Sequence, residues 1–187
     1  MPSPDPSAAA QSFAATVLIG ESFVGDGVNA AHTNVVIGRR GGPVGTAWAT
    51  ALATPSAGHV PFVAVVRPSV PVKPATLFVT KAAAAGELHE RATWGSAQAG
   101  LAQGVLDAVT EGLLPAEEAD ELLVIAAVWV NPGVDDLDGC FRNQRAAAYG
   151  AVRAAVTGSP SVADVLDAAK EGPANPFYTP SAEVLAR

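Results

Sequence analysis

The 187-residue chain holds a single cysteine, Cys140. No internal disulfide can form, which excludes a small secreted scaffold held together by cross-links. Charge is also scarce: Asp, Glu, Lys and Arg make up 16% of the residues, against about 25% in an average protein. Basic residues are the scarcer kind, 11 against 18 acidic ones, for a net charge of −7. That sign repels phosphate backbones and anionic lipid, so neither nucleic acid nor a membrane surface is an expected partner. Long apolar runs are missing as well. The longest, Leu122 to Val130, falls far short of the ~20 residues that a membrane helix requires. No Lys or Arg precedes Arg39, so the basic opening of a signal peptide is lacking and a cytoplasmic protein is the expectation. The histidines His32, His59 and His89 lack ligand spacing, and no CxxC, HExxH or phosphate-binding glycine loop occurs. No metal site is expected.

What the chain does have is apolar material, 49% of its residues, enough for the core of one domain. Residues 1–13 are rich in Pro, Ser and Ala without periodicity and read as a disordered leader. Residues 14–172 read as the folded domain, and 173–187, punctuated by Pro173, Pro176 and Pro180, as an extended tail. Strands are expected around Val17-Leu18-Ile19, His32–Gly38, Phe62–Val66, Thr76–Thr80 and Leu122–Val130. Helices are expected from Pro43 to about Leu52, over Glu87–Trp94, Ser96–Glu111 and Asp138–Val156, and from a Ser161 cap to about Glu171. The Pro-rich link Arg67–Pro74 cannot be helical. The sum is an α/β (α+β) domain with a single mixed sheet of about five strands backed by helices.

Few residues stand out as carriers of chemistry. Cys140 lies on an expected helix with nothing nearby in sequence to activate it. His32 follows the turn Gly25-Asp26-Gly27 and opens an apolar strand, with Asn34 and Val36 on the same face by the strand period. A titratable ring beside an amide suits a small-molecule site; it equally suits a strand-edge histidine bonded to the preceding loop. Lys81 ends the strand Thr76–Thr80, where a lysine is ordinarily solvated. Gln98 stands near the start of a helix for which Ser96 is the expected N-cap, a corner of free amides and an ordinary place for an exposed glutamine.

Several longer motifs are more specific. The run Gly20-Glu21-Ser22-Phe23-Val24-Gly25-Asp26-Gly27 with Ala31-His32 resembles the opening of the formaldehyde-activating enzymes. Ile37-Gly38-Arg39-Arg40-Gly41-Gly42-Pro43 and Leu77-Phe78-Val79-Thr80-Lys81 are similar to later motifs of the same family. The most extended match covers Asp107-Ala108-Val109 and continues from Glu111 to Asp120. The resemblance runs in register from about Ala15 to Pro160, and Asn175-Pro176-Phe177 is similar to the family's His-Pro-Phe ending. It implies a fold like domain 2 of ribosomal protein S5 and a homopentamer with sites between subunits. It also implies condensation of formaldehyde with the reduced pterin tetrahydromethanopterin, giving the methylene derivative and water. By resemblance, His32 is the catalytic acid–base histidine, and Lys81 and Gln98 contact the pterin. A carbinolamine must shed hydroxide, a poor leaving group, and histidine is the residue type suited to protonating it near neutral pH.

The chain departs from the family around the pterin. Asn34 stands in place of an aspartate, Val63 in place of a contacting leucine, Ala83 in place of a threonine and Gly45 in place of a glutamate. An amide offers one acceptor and two donors where a carboxylate offers acceptors alone. A divergent member is therefore expected, with His32 as acid and Lys81, Gln98, Asn34 and Val63 lining the ligand. The carrier is tetrahydromethanopterin or a related reduced pterin. The alternatives are a non-catalytic protein that binds or senses a pterin or other small molecule, and a structural oligomer with a vestigial pocket.

Overall fold

The computed structural model describes residues 17–186; the leader read at 1–13 lies outside them. The chain runs β1 (Leu18–Val24), β2 (Ala31–Arg39), α1 (Pro43–Ala53), β3 (Pro61–Val63), β4 (Val65–Arg67), β5 (Val70–Pro71), β6 (Ala75–Thr80), α2 (Glu87–Arg91), α3 (Gln98–Thr110), β7 (Leu122–Val130), α4 (Leu137–Thr157), α5 (Val162–Ala168) and α6 (Ala182–Leu185). Five strands form one mixed sheet in the order β1-β2-β7-β6-β3. Only the β6–β7 pair is parallel. The mixed sheet backed by helices is the expected architecture.

Strand alternation divides the sheet into two unlike faces. Val35 and Ile37 of β2, Phe78 of β6, and Val124, Ala126 and Val128 of β7 are buried in one core. That core is completed by Leu101, Val105 and Ala108 of α3 and by Ala148, Ala151, Val152 and Ala155 of α4. Alternate residues of the same strands point the other way. His32, Asn34 and Val36 of β2 and Ile125, Ala127 and Trp129 of β7 are only partly buried on this opposite face. β7 is apolar in both directions because it is the central strand, and its bounds are those of the longest apolar run.

Small residues let the helices come close. A Cβ at Gly100 would lie 2.7 Å from the Phe141 carbonyl oxygen, and one at Gly104 2.5 Å from that of Arg145. The α3–α4 crossing is thus backbone against backbone, and Asp107 fastens it. Its carboxylate accepts from Arg145 Nε at 2.6 Å and Nη2 at 3.0 Å, and from Gln103 Nε2 at 3.0 Å. The Arg145 hydrogen bonds outweigh partial burial and hold the Asp107 pKa below its ordinary 3.8. The unfolded chain therefore takes up the proton first. The stabilisation is complete above that ordinary value and disappears as pH falls through the lowered folded one. We expect Asp107→Asn to cost about 1 kcal/mol at neutral pH, the scale for a well-formed surface pair. The deficit should vanish in strong acid, as read by denaturant unfolding across pH.

Three expectations change. The strand expected over Phe62–Val66 breaks at the buried Ala64. There the N–H donates to Thr76 O, while the carbonyl accepts from Val72 N, which begins a hairpin of β4 and β5 inside the Pro-rich link. The helices expected over Glu87–Trp94 and Ser96–Glu111 join through a π-helical turn at Ala92–Ala97. Ser96 is therefore not an N-cap, and the free-amide corner expected beside Gln98 does not form; the true N-terminus is at Gly86. Finally, the tail read as extended carries a hydrogen-bonded turn between Asn175 and Tyr178 and the one-turn helix α6. Asn175 Oδ1 accepts from the N–H groups of Phe177 and Tyr178, which fixes that turn. Ser161 does cap α5, in a reciprocal box with Asp164.

Candidate functional site

The antiparallel registers place three residues in one row across the opposite face. Phe23 of β1 faces His32 of β2, and His32 faces Trp129 of β7. The Phe23 and His32 rings lie 5.9 Å apart, tilted by 50°. Trp129 is met edge-on by Phe177 of the C-terminal segment, 5.4 Å away. The next row down pairs Glu21 with Asn34 and Asn34 with Ala127. From there Glu21 reaches diagonally, and its Oε1 lies 2.9 Å from His32 Nε2. His32 thus sits between aromatic neighbours, with one ring nitrogen held and the ring partly open to solvent.

The strand end that carries Lys81 is at the same end of the sheet. Thr80 pairs with Val128, and the Lys81 N–H donates to the Val128 carbonyl at 2.9 Å. The alternation through Leu77 and Val79 continues to Lys81, which puts it on the face of His32. Two strand spacings separate them, roughly 10 Å. Among the described residues no hydrogen bond or ion pair engages the Lys81 ammonium, and it is exposed.

The loop after Lys81 is tethered by a buried histidine. His89 Nδ1 accepts from Ala85 N at 2.9 Å, so Nε2 carries the hydrogen that it donates to Val130 O at 3.1 Å. His89 is thus fully bonded and structural, while among the described residues His59 pairs through its backbone alone, with Ser56.

Val63 and Gln98 are elsewhere. Val63 pairs with Leu77, and so shares the face of His32, but it is about 20 Å away by strand and residue spacing. Gln98 is 7% exposed, on the first turn of α3, and its amide donates to Val65 O at 2.8 Å. It braces β4 from the helix side of the sheet rather than presenting a free amide. Near it, Trp94 stands exposed on the π-helical turn against Phe62, with ring centroids 5.0 Å apart. The chain therefore offers two groups of residues. His32 and Asn34, with Lys81 within reach, form the first; Val63 and Gln98, at the β3–β4 edge, form the second.

Two of the sequence departures look different in the structure. A Cβ at Gly45, in the first turn of α1, would lie 1.8 Å from the Arg40 carbonyl oxygen, so no larger residue fits there as the backbone stands. Its glycine is a consequence of how closely the first turn of α1 packs on the Arg40 carbonyl, not merely a lost carboxylate. Ala83 lies in the exposed loop between Lys81 and Gly86.

Other chemistry-bearing groups have structural roles. Burial and the nearby Asp136 charge push the Cys140 thiol up to about 11, which keeps it protonated and unreactive. A concavity of about 270 Å³ between α3 and α4 is lined by Asp107, Glu111, Arg142, Arg145 and Tyr149. It is on the solvent side of the helix pair, and Arg145–Asp107 and Tyr149–Glu111 satisfy each other across it. Among the described residues no group of three His, Cys, Asp or Glu side chains is placed to hold a metal ion. No described helix is long and apolar enough to cross a membrane.

Sequence reasoning missed Glu21, Phe23 and Trp129. All three stand in runs that it did read, but their convergence on His32 depends on which strands are neighbours and in what register.

Comparison with known proteins bears on the whole of this arrangement. Residues 19–177 match the model of the family described as formaldehyde-activating enzyme (Fae). The chain is 36% identical over 160 residues to a 5,6,7,8-tetrahydromethanopterin hydro-lyase of Methanosarcina barkeri, covering 86% of this chain and 89% of that one. It is 40% identical over 150 residues to a bifunctional enzyme Fae/Hps of Methanococcoides burtonii, and 38% over 148 residues to one of Archaeoglobus fulgidus. Those alignments cover 80% and 79% of this chain but only 38% of each bifunctional protein, so the chain spans well under half their length. With the match to the family model running from β1 to the turn that carries Phe177, the chain belongs to the formaldehyde-activating enzyme family.

Proposed function

We propose that this protein condenses formaldehyde with a reduced pterin, tetrahydromethanopterin or a related carrier, to give the methylene derivative and water. The place of such a reaction is one-carbon metabolism and the removal of free formaldehyde. The observation that carries the reading is His32: within the motif shared with the family it stands partly open on the exposed face, set between Phe23 and Trp129. An amine of the pterin adds to formaldehyde, His32 protonates the hydroxyl as it leaves, and a second amine closes the methylene bridge. Phe23 and Trp129 offer apolar surface beside the position of the iminium carbon, where water would otherwise recapture it.

Lys81, Asn34, Val63 and Gln98 are proposed to line the pterin. The separation of Val63 and Gln98 from His32 within one chain supports a site completed between subunits, as in the homopentamer implied by the family resemblance. Ile19, 70% exposed, and the half-buried Val36 and Ile125 supply apolar surface for such contacts. Light scattering of the purified chain should therefore report a pentamer. A clean monomer at micromolar concentration would contradict the shared site.

A second reading, a non-catalytic pterin-binding or sensing protein, is favoured by Asn34 and Ala83. A carboxylate and a hydroxyl that recognise the multi-donor edge of a pterin are both missing there. Assays of binding and condensation with tetrahydromethanopterin and tetrahydrofolate in parallel separate the two readings. Substituting Asn34→Asp and Ala83→Thr together should tighten tetrahydromethanopterin by roughly 1–3 kcal/mol, the worth of a recovered charge-assisted hydrogen bond. Because both positions serve one ligand, the double change need not equal the sum of the singles. Unchanged affinity in isothermal titration would mean that these positions do not line the pterin.

A further inference from the structure

We infer that Glu21 is the positioning residue for His32: it holds the ring by Nε2 and thereby assigns Nδ1 as the atom that exchanges protons with the substrate. The inference rests on the catalytic reading of His32 proposed above.

The geometry follows from the sheet. Glu21 and Phe23 alternate with Gly20 and Ser22 along β1, and Gly20 faces α4, so Glu21 and Phe23 face the other way, with His32. In the β1–β2 register, Glu21 is opposite Asn34 and one diagonal step from His32, the span that long side chains bridge in antiparallel pairs. Nε2 and Oε1 are 2.9 Å apart, in ion-pair contact. A carboxylate only accepts, so Nε2 must carry the hydrogen. Among the described residues, Nδ1 has no such partner. Which ring nitrogen is available for chemistry is set by the bond that the other one makes.

The proton count then closes on one atom. His32 in its imidazolium form gives the Nδ1 proton to the hydroxyl oxygen of the N–CH₂–OH adduct. The C–O bond breaks with its electron pair on oxygen, releasing water and leaving an iminium. His32 is now neutral, and because Glu21 keeps the hydrogen on Nε2, the lone pair is on Nδ1, facing the site that it has just served. The second amine adds to the iminium carbon, the new C–N bond forms, and the proton shed by that amine returns to Nδ1. The imidazolium is restored, and the net change is formaldehyde and two N–H groups to an N–CH₂–N bridge and water. Without Glu21 the ring turns freely, and the nitrogen that gives the first proton is not held in place to receive the second.

The exposure of the pair separates this role from a structural one. The side chains of His32 and Glu21 are 38% and 57% exposed, so their attraction contributes little to stability. The full-length chain and its Glu21→Ala and Glu21→Gln variants provide the test. Glu21→Ala should leave the unfolding midpoint in place and lower kcat roughly 10–100-fold, the usual loss when the partner orienting a working histidine is removed. KM for the pterin should stay within about twofold. Glu21→Gln, which keeps a side-chain oxygen beside Nε2, should recover most of the rate. Independently of any substrate, proton–nitrogen NMR of histidine-labelled protein should show a His32 Nε2–H resonance shifted downfield, present in wild type and Glu21→Gln and lost in Glu21→Ala. Equal kcat in wild type and Glu21→Ala, or a His32 resonance unmoved by Glu21→Ala, overturns the inference. A wild type with no rate above background overturns the functional reading instead, and the NMR comparison then decides alone whether Glu21 holds His32.

Discussion

His32→Ala is expected to lower the turnover of the formaldehyde condensation by about 10²–10⁴, the usual worth of a general acid–base group. The size of the effect follows from the leaving group, since hydroxide departs from a carbinolamine slowly unless it is protonated as it goes. Affinity for the pterin should change little, because the imidazole acts on the bond being broken more than on the bound ring system. A fall confined to kcat would mark His32 as the acid. A matching rise in KM with kcat intact would make it a binding residue. Formaldehyde and secondary amines combine unaided, so both rates must be corrected for the protein-free reaction before comparison.

Gly20→Ala should be among the most destabilising single changes in the chain, by about 3 kcal/mol or more, beyond the ordinary range for overpacking. An added Cβ would lie 2.0 Å from the Ala151 carbonyl oxygen, 2.6 Å from Ala155 N and 3.0 Å from Ala155 Cβ. The first two of these atoms are backbone of α4, a 21-residue helix, and no flexible side chain is there to turn aside. Either β1 lifts from α4 or the helix shifts with everything packed on it. Because β1 carries Glu21 and Phe23, a variant that still folds should also lose activity. Denaturant midpoints and turnover measured on the same preparations check both consequences. A Gly20→Ala protein of wild-type stability would mean that β1 does not lie against α4 as described.

The elements most legible in the sequence were those whose signal is local. The uniform apolar run Leu122–Val130, the Pro43 helix start and the Ser161 cap each carry their own cause, and each appears where the residues put it. The breaks were not legible, because they depend on partners distant in sequence. Ala64 ends one strand pairing and begins another only because Thr76 and Val72 arrive on either side of it. Gly95 and Ser96 look like a helix boundary, yet the backbone passes through them in a π-helical turn packed on the sheet and α4. The candidate site divides in the same way. His32 and Asn34 share a face by strand period alone, and the structure bears that out. The grip of Glu21 on His32, the Trp129–Phe177 contact and the brace from Gln98 to Val65 required the register of three strands and the path of the tail.

The most direct measurement is the initial rate at which methylene-tetrahydromethanopterin forms from formaldehyde and tetrahydromethanopterin, with and without the purified protein. A rate above background that rises in proportion to protein concentration and returns to background in His32→Ala is the expected result. Protein that binds the pterin yet leaves the rate at its uncatalysed value would contradict it.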